Sequence, residues 1–143
     1  MKATLCIEGN HGERNFSTFI TGMEIPGYGI HGYGKDAREA IADTYDTIAE
    51  MRGIARECGD HFPEEDFEFD YVFDVGAFFS YFDYLNISAV AKRIGINASL
   101  MRRYATGKTI PSSARHREIT EGLRAIAAEL SAAKIGDWNK IQV

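Results

Sequence analysis

Residues 87–111, ISAVAKRIGINASLMRRYATGKTIP, have the pattern of two short helices joined by a tight turn. Ser88 is suited to cap the first helix, because its hydroxyl can accept a hydrogen bond from a free amide at the helix start. Gly95 suits the left-handed backbone conformation that such a turn needs. Ala91 is small at the position where the two helices would cross. The stretch therefore predicts a helix-turn-helix.

The second helix of this stretch has one apolar and one basic side. Asn97 or Ser99 is suited to cap it, and Met101 and Tyr104 form its expected buried side. The opposite side is polar and basic, which suits insertion into the major groove of DNA. The residues expected to contact DNA are Ser88, Lys92, Asn97, Ala98, Ser99, Arg102, Arg103, Thr106 and Lys108.

These candidate residues divide into two roles. Ser99, Arg102 and Arg103 would face bases or flanking phosphates, since arginine contacts to guanine are the commonest specific type. Lys92, Lys108 and the Ser88 end of the first helix would lie against the sugar-phosphate backbone.

The distribution of charge supports this interpretation. The net charge of −5 by itself argues against a nucleic-acid binder. However, residues 1–76 carry 6 Lys/Arg and 16 Asp/Glu, whereas residues 77–143 carry 10 and 5. Residues 84–117 contain seven basic residues and no acid. A solvated helical face would normally mix both signs, so this excess favours phosphate neutralisation.

The composition indicates a folded chain without a disulfide framework or a metal site. A length of 143 residues fits one domain or two small ones, and 45% hydrophobic residues suffice for a core. Cys6 and Cys58 are too few and too isolated for a disulfide framework or a zinc site, so we expect both in the core. The histidines, His11, His31, His61 and His116, have no ligand spacing. We expect no metal, cofactor or catalytic residue.

The sequence also carries no expected targeting signal. The N-terminal stretch MKATLCIEGN meets charge before any long apolar run, which is not typical of a signal peptide. No stretch approaches the roughly 20 apolar residues of a membrane span. We therefore expect a cytoplasmic protein that makes no contact with a membrane.

The first 75 residues predict three short strands, a helix and a fourth strand. The first three strands are expected at residues 4–8, 16–22 and 28–33, with a turn at residues 9–12. Asp36 then caps a helix over residues 37–57, with apolar residues, including Ile54, at helical spacing.

Residues 67–74 alternate between aromatic and mostly acidic side chains. This alternation predicts a half-buried antiparallel strand, with Glu68, Asp70 and Asp74 on its solvent face. Gly76 ends the strand, and residues 77–85 form the first helix of a second part. The fold prediction is therefore α+β: a βββαβ domain over residues 1–76 and an all-α helix-turn-helix domain over residues 77–143.

A last helix is expected to run from Ser112 or Ser113 to about residue 134. It carries an apolar stripe at heptad-like spacing: Ile119, Leu123, Ile126 and Leu130. The stripe either packs on the helix-turn-helix core or forms a dimer seam, and the sequence supports both alternatives equally.

Two stretches resemble known protein families. The pattern Tyr-x-x-Gly-Lys-x-x-Pro-Ser at residues 104–112 resembles the loop after the second helix in phage-repressor (Cro/cI-like) domains. Ile-Pro-Gly at residues 25–27 and GKDAREAI at residues 34–41 resemble the HicB antitoxin family, in which a Pro-Gly, a strand, a glycine and a Glu-Ala helix start follow one another. Residues 28–33 are longer than the usual link, and residues 61–66 match nothing in that family.

The resemblance implies a partial RNase H-like fold without nuclease residues over the N-terminal part, which would bind a small HicA-type RNase toxin. The C-terminal part would dimerise and bind operator DNA. The chain would then be a HicB-like antitoxin of a type II toxin-antitoxin system that neutralises its toxin and represses the operon. A homodimer or higher oligomer would present two recognition helices about 34 Å apart to a palindromic operator.

Two other functions are consistent with parts of the sequence. A protein-interaction module would bind a partner through residues 1–75 and have no salt-dependent affinity for DNA. A metal-dependent nuclease would use the acidic cluster between Glu64 and Asp74, because RNase H-like folds hold two metals with carboxylates. The spacing of that cluster along one strand face argues against the nuclease.

Overall fold

The computed structural model describes residues 1–10 and 15–141, and this part of the chain forms a mixed α/β fold. The strands are β1 (Lys2–Asn10), β2 (Asn15–Thr21), β3 (His31–Gly34) and β4 (Glu68–Phe73). The helices are α1 (Ala37–Cys58), α2 (Val75–Tyr81), α3 (Ile87–Ile94), α4 (Ala98–Ala105) and α5 (Ser113–Ala132). The element order agrees with the prediction. His11 and part of the turn expected at residues 9–12 lie outside the described residues.

The four strands form one sheet in the order β3-β2-β1-β4. β1 pairs with β2, and β2 with β3, in antiparallel orientation, whereas β4 pairs with β1 in parallel, with Cys6 opposite Val72. The expected antiparallel direction of β4 is therefore wrong. The chain crosses from β3 to the far side of β1 through α1, and this crossover gives β4 the same direction as β1. Alternation identifies a half-buried strand but carries no information on its direction.

The junction between β4 and α2 is organised by Asp74. Glu68 and Asp70 are exposed as expected, but Asp74 does not share their solvent face. Its Oδ1 accepts a hydrogen bond from the Ala77 amide at 2.7 Å, which caps α2, and its Oδ2 accepts one from the Gly9 amide at 3.0 Å. An aspartate just before a helix can cap it. Asp74 therefore caps the start of α2 and is not the last solvent-facing residue of the strand.

β3 is shorter than predicted and begins three residues later. The Tyr28 amide donates to the Ile25 carbonyl at 3.0 Å, and Gly27 has φ of 83°, so residues 25–28 form a tight turn outside the strand. Gly32 lets α1 approach the backbone of β3, since a Cβ atom there would lie 2.7 Å from the Thr44 nitrogen. The glycines of this strand therefore serve the packing of helix on sheet.

A buried chain of polar groups fastens α1 to the sheet. Thr44, fully buried, donates to the Ala40 carbonyl at 3.0 Å. The Thr18 hydroxyl lies 2.5 Å from the Thr44 hydroxyl and accepts from the Gly32 amide at 2.8 Å. Every polar atom of the two threonine side chains has a partner, so their burial carries no unpaired group.

α2 belongs to both halves of the molecule. Ala77, fully buried, packs with Leu5 and Ile7 in the core between the sheet and α1. Val75 and Phe79 pack on the other side, in the core formed with α3, α4 and α5. The boundary expected near Gly76 therefore lies within a helix that the two cores share.

Three side chains lie outside the cores expected from the sequence. Cys58 is exposed at the last position of α1, and Cys6 is half-buried on the face of the sheet away from α1. Ile54 of α1 is also exposed. The buried stripe is narrower than its spacing suggested, because at this turn of α1 the neighbouring Ala55 faces the core, with 1% of its surface exposed. Among the described residues, no helix is long and apolar enough to cross a membrane.

Candidate nucleic-acid interface

The turn between α3 and α4 has the predicted backbone geometry. Gly95 ends α3 with φ of 92°, the left-handed conformation, and Ile96 fills the turn with 5% of its surface exposed. The cap of α3 is Asn86 and not Ser88: its Oδ1 accepts from the Ala89 amide at 2.9 Å. Asparagine is a strong capping residue, so the signal was present two positions before the serine.

α4 has the two sides that its sequence predicted. Asn97 caps it by accepting from the Leu100 amide at 3.1 Å, which leaves Ser99 free of the capping role. Met101 is fully buried and Tyr104 is 8% exposed, both in the core with α2 and α5. The opposite side of the helix is thereby held toward solvent.

The candidate residues of α3 and α4 meet around Arg102. Its Nη1 donates to the Ser88 hydroxyl at 2.6 Å, and its Nη2 donates to the Ser99 hydroxyl at 3.1 Å. The exposed guanidinium therefore bridges the start of α3 and the outer side of α4. Two hydroxyl contacts fix its position and leave other N–H donors of the fork available to a ligand.

The remaining candidate residues surround this centre. Arg103, Asn97, Lys92 and Lys108 are exposed, and Ala98 is half-buried at the first position of α4. Thr106 ends α4, where its hydroxyl donates to the Arg103 carbonyl at 3.3 Å. All nine candidate residues thus lie within α3, α4 and the short loops beside them.

Two of the seven basic residues in this region are neutralised by α5. Arg93 forms an ion pair with Glu129, whose hydrogen bond raises the pKa of the guanidinium further. Arg115 pairs with Glu118 at 2.9 Å. Within residues 1–10 and 15–141, the other five have no carboxylate partner: Lys92, Arg102, Arg103, Lys108 and Arg117. The unpaired charges are available for phosphates.

α5 supports the motif from behind. Ser112 caps it by accepting a hydrogen bond from the Arg115 amide at 3.1 Å. Of the two predicted caps, Ser112 and Ser113, the first is therefore the one used. Gly122 lets α5 pack closely on α3, because a Cβ atom there would lie 2.6 Å from Ile94 Cγ1. Ile119 is buried in the core, whereas Leu130 is 67% exposed. Only the first part of the apolar stripe therefore packs on the helix-turn-helix.

One residue beside the basic surface was not singled out by the sequence pattern. Ile110, in the loop between α4 and α5, is 85% exposed two positions after Lys108. Isolated exposed apolar residues are common, but apolar side chains in this location can contact thymine methyl groups. Its place in the repressor-like tail was the only available signal.

A second surface lies on the face of the sheet opposite α1. One row of paired residues crosses all four strands and consists of His31, Phe19, Cys6 and Val72. Acidic side chains flank this row: Glu8 at the end of β1 and Asp70 and Glu68 along β4. We call this surface the open sheet face. It combines an apolar centre with a mainly acidic rim, in which Lys2 lies opposite Glu68.

The acidic residues of the N-terminal half do not converge. Glu64 pairs with Arg56, whose hydrogen bond holds the pKa of that carboxyl below its usual value. Asp74 is engaged at the cap of α2. Among the described residues, no three His, Cys, Asp or Glu side chains gather as a metal would need. The described residues therefore contain no assembled metal centre of the kind that the nuclease alternative requires.

Comparison of the chain with protein-family models, with curated proteins and with solved structures found no match. The assignment of a function therefore rests on the residues and on their geometry.

Proposed function

We propose that this protein is a DNA-binding transcriptional regulator that acts as a homodimer in the cytoplasm. The observation that carries the proposal is the cluster of Ser88, Ser99 and Arg102, joined by hydrogen bonds on an exposed, basic face of a helix-turn-helix. Four further basic residues between positions 84 and 117 have no carboxylate partner among the described residues: Lys92, Arg103, Lys108 and Arg117. Positive charge and an exposed helix side are features that a protein reading the major groove requires.

α4 enters the major groove in this proposal, with its buried side held by Met101 and Tyr104. Arg102 and Arg103 read bases, and Ser88, Lys92 and Lys108 contact the phosphates on either side. The hydroxyl contacts of Arg102 reduce the entropy lost when the guanidinium binds a guanine edge. A dimer presents two such helices about 34 Å apart, which requires a palindromic operator.

The test is a fluorescence-anisotropy titration of the full chain against its own upstream DNA, with a scrambled duplex as the reference. We expect tight, sequence-preferring binding with a steep salt dependence. Arg102→Ala should weaken binding to the upstream DNA by about 1–3 kcal/mol and reduce the preference over the scrambled duplex. Lys35→Ala, which removes a positive charge from an exposed position before α1, should leave both affinities unchanged.

Three other results would revise the proposal. Unchanged affinity in both Arg102→Ala and Arg103→Ala would mean that α4 is not the recognition helix. Equal affinity for both duplexes would mean that the basic face binds the phosphate backbone without reading the sequence. Binding to neither duplex at any salt concentration would favour a protein-interaction module instead.

We further propose that the protein is a HicB-like antitoxin that neutralises a small HicA-like RNase toxin and represses the toxin operon. The resemblance of residues 25–41 to the HicB family supports this, as does the strongly acidic N-terminal half. An RNA-handling toxin is expected to be basic, and the open sheet face offers it an apolar centre with acids around it. Charge complementarity of this kind accelerates association and excludes wrong partners.

A short gene for a basic protein beside this one is the expected source of the toxin. Co-expression of the two products should give a complex that copurifies, and growth arrest by the toxin alone should be relieved. Asp70→Lys should weaken the complex at least tenfold by setting like charges against each other. Glu57→Lys makes the same charge change at the end of α1 and should leave the affinity of the complex unchanged. Equal effects of the two substitutions would mean that the open sheet face does not bind the toxin.

A further inference from the structure

An apolar groove lies between β4, α2 and the outer side of α5. Its volume is 610 Å³, and it is lined by aromatic and aliphatic side chains, among them Val72, Phe78, Phe82, Tyr84, Leu123 and Leu130. Tyr84 is 74% exposed and Leu130 is 67% exposed, so much of this lining faces solvent. A contiguous, exposed apolar surface of this kind marks a site of association.

The segment that follows α5 carries apolar side chains that have no core to enter. Over residues 133–141, Ile135 is fully exposed, Trp138 is 79% exposed and Ile141 is 49% exposed. The Lys140 amide donates to the Asp137 carbonyl at 2.9 Å, which forms a turn, and Gly136 gives space for Trp138 and Ile141 to lie against the backbone. The segment is thus a small apolar knob with tryptophan as its largest member.

The segment does not occupy the groove of its own molecule, since none of residues 133–141 lines it. Leu130 lines one end of the groove, and every lining residue precedes Ala133. Ala133 ends α5 with an extended backbone, φ −76° and ψ 145°, so the segment that follows is not a continuation of the helix. In a two-fold dimer, by contrast, each segment can meet the other copy's groove, which gives two identical contacts and closes the assembly.

We propose that residues 133–141 of one copy dock in the groove between β4, α2 and α5 of a second copy, with Trp138 as the anchor. Exposed aromatic side chains that bury 150–250 Å² each dominate the energetics of such contacts. The proposal rests on the groove and the segment and not on DNA binding. It supplies the dimer that the regulator needs, and no sample in its test contains DNA.

Trp138 is the only tryptophan of the chain, so its fluorescence reports on this segment alone. We expect its emission to move to shorter wavelength as protein concentration rises, with the same midpoint as dimer formation in sedimentation equilibrium. Trp138→Ala and Leu130→Glu should each weaken the dimer at least about tenfold. Ile54→Ala, at an exposed apolar position of α1, should leave the dimer unchanged.

A mixture of the two variants tests exchange between copies directly. The Trp138→Ala chain keeps its groove but has no tryptophan, whereas the Leu130→Glu chain keeps Trp138 but has a blocked groove. Adding the first to the second should shift the emission of Trp138 to shorter wavelength. No shift would overturn the proposal. So would a short-wavelength emission that does not change with concentration in a monomer, because the segment would then occupy its own groove.

Discussion

Gly32 and Gly53, both in the N-terminal half of the molecule, differ in the space that the structure leaves for a side chain. A Cβ atom at Gly32 would meet the Ala40 carbonyl oxygen and lie 2.7 Å from the Thr44 nitrogen, whereas one at Gly53 would meet nothing within 4 Å. Gly32→Ala should therefore lower the free energy of unfolding by about 1–3 kcal/mol, because backbone atoms of α1 must move. Gly53→Ala should raise it by about 0.5–1 kcal/mol, as expected in a helix interior.

Urea denaturation of the two variants and the parent chain measures both changes. A Gly32→Ala variant as stable as the parent would mean that α1 does not rest on the backbone of β3. A general effect of replacing glycine by alanine would have the same sign at both positions. Opposite signs would therefore identify the contact with α1 as the cause of the loss at Gly32.

At the scale of elements, Asp74 joins β1 to α2. Asp74→Ala would leave the amides of Gly9 and Ala77 without their acceptors and should lower the free energy of unfolding by about 1–3 kcal/mol. Asp70→Ala removes an acid from the exposed side of β4 and should change stability by less than about 0.5 kcal/mol. Denaturant unfolding is the measurement, and equal losses in the two variants would contradict the capping role.

At the scale of the whole molecule, α5 determines how much unpaired positive charge lies on and around α3 and α4. Glu129→Gln releases Arg93 from its ion pair, so DNA affinity at low salt should rise and the salt slope should steepen by about one per protomer. Glu121→Gln makes the same charge change on α5 at a residue without a cationic partner among those described. Salt titrations of both variants that gave equal slopes would mean that Arg93 does not face DNA.

Local features of this chain could be predicted from the sequence because they depend on neighbouring residues. The left-handed Gly95, the cap at Asn97 and the burial of Met101 and Tyr104 all lie within one stretch of the chain. Nine candidate residues could be selected there because helical periodicity separates a buried side from an exposed one. The helix α1 and its cap at Asp36 followed from the same kind of local pattern.

Other features depended on residues that are distant in the sequence, and these only the tertiary structure decided. The direction of β4 follows from the crossover through α1, and Asp74 meets Gly9 across 65 positions. Glu129 neutralises Arg93 across 36 positions, although no acid lies within the basic stretch itself. The groove between β4, α2 and α5 arises from three separate elements. The sequence by itself determined the helix-turn-helix and its exposed side, because hydrogen bonds and periodicity act over a few residues. Long-range contacts determined the charge and shape around it, because they exist only once the chain has folded.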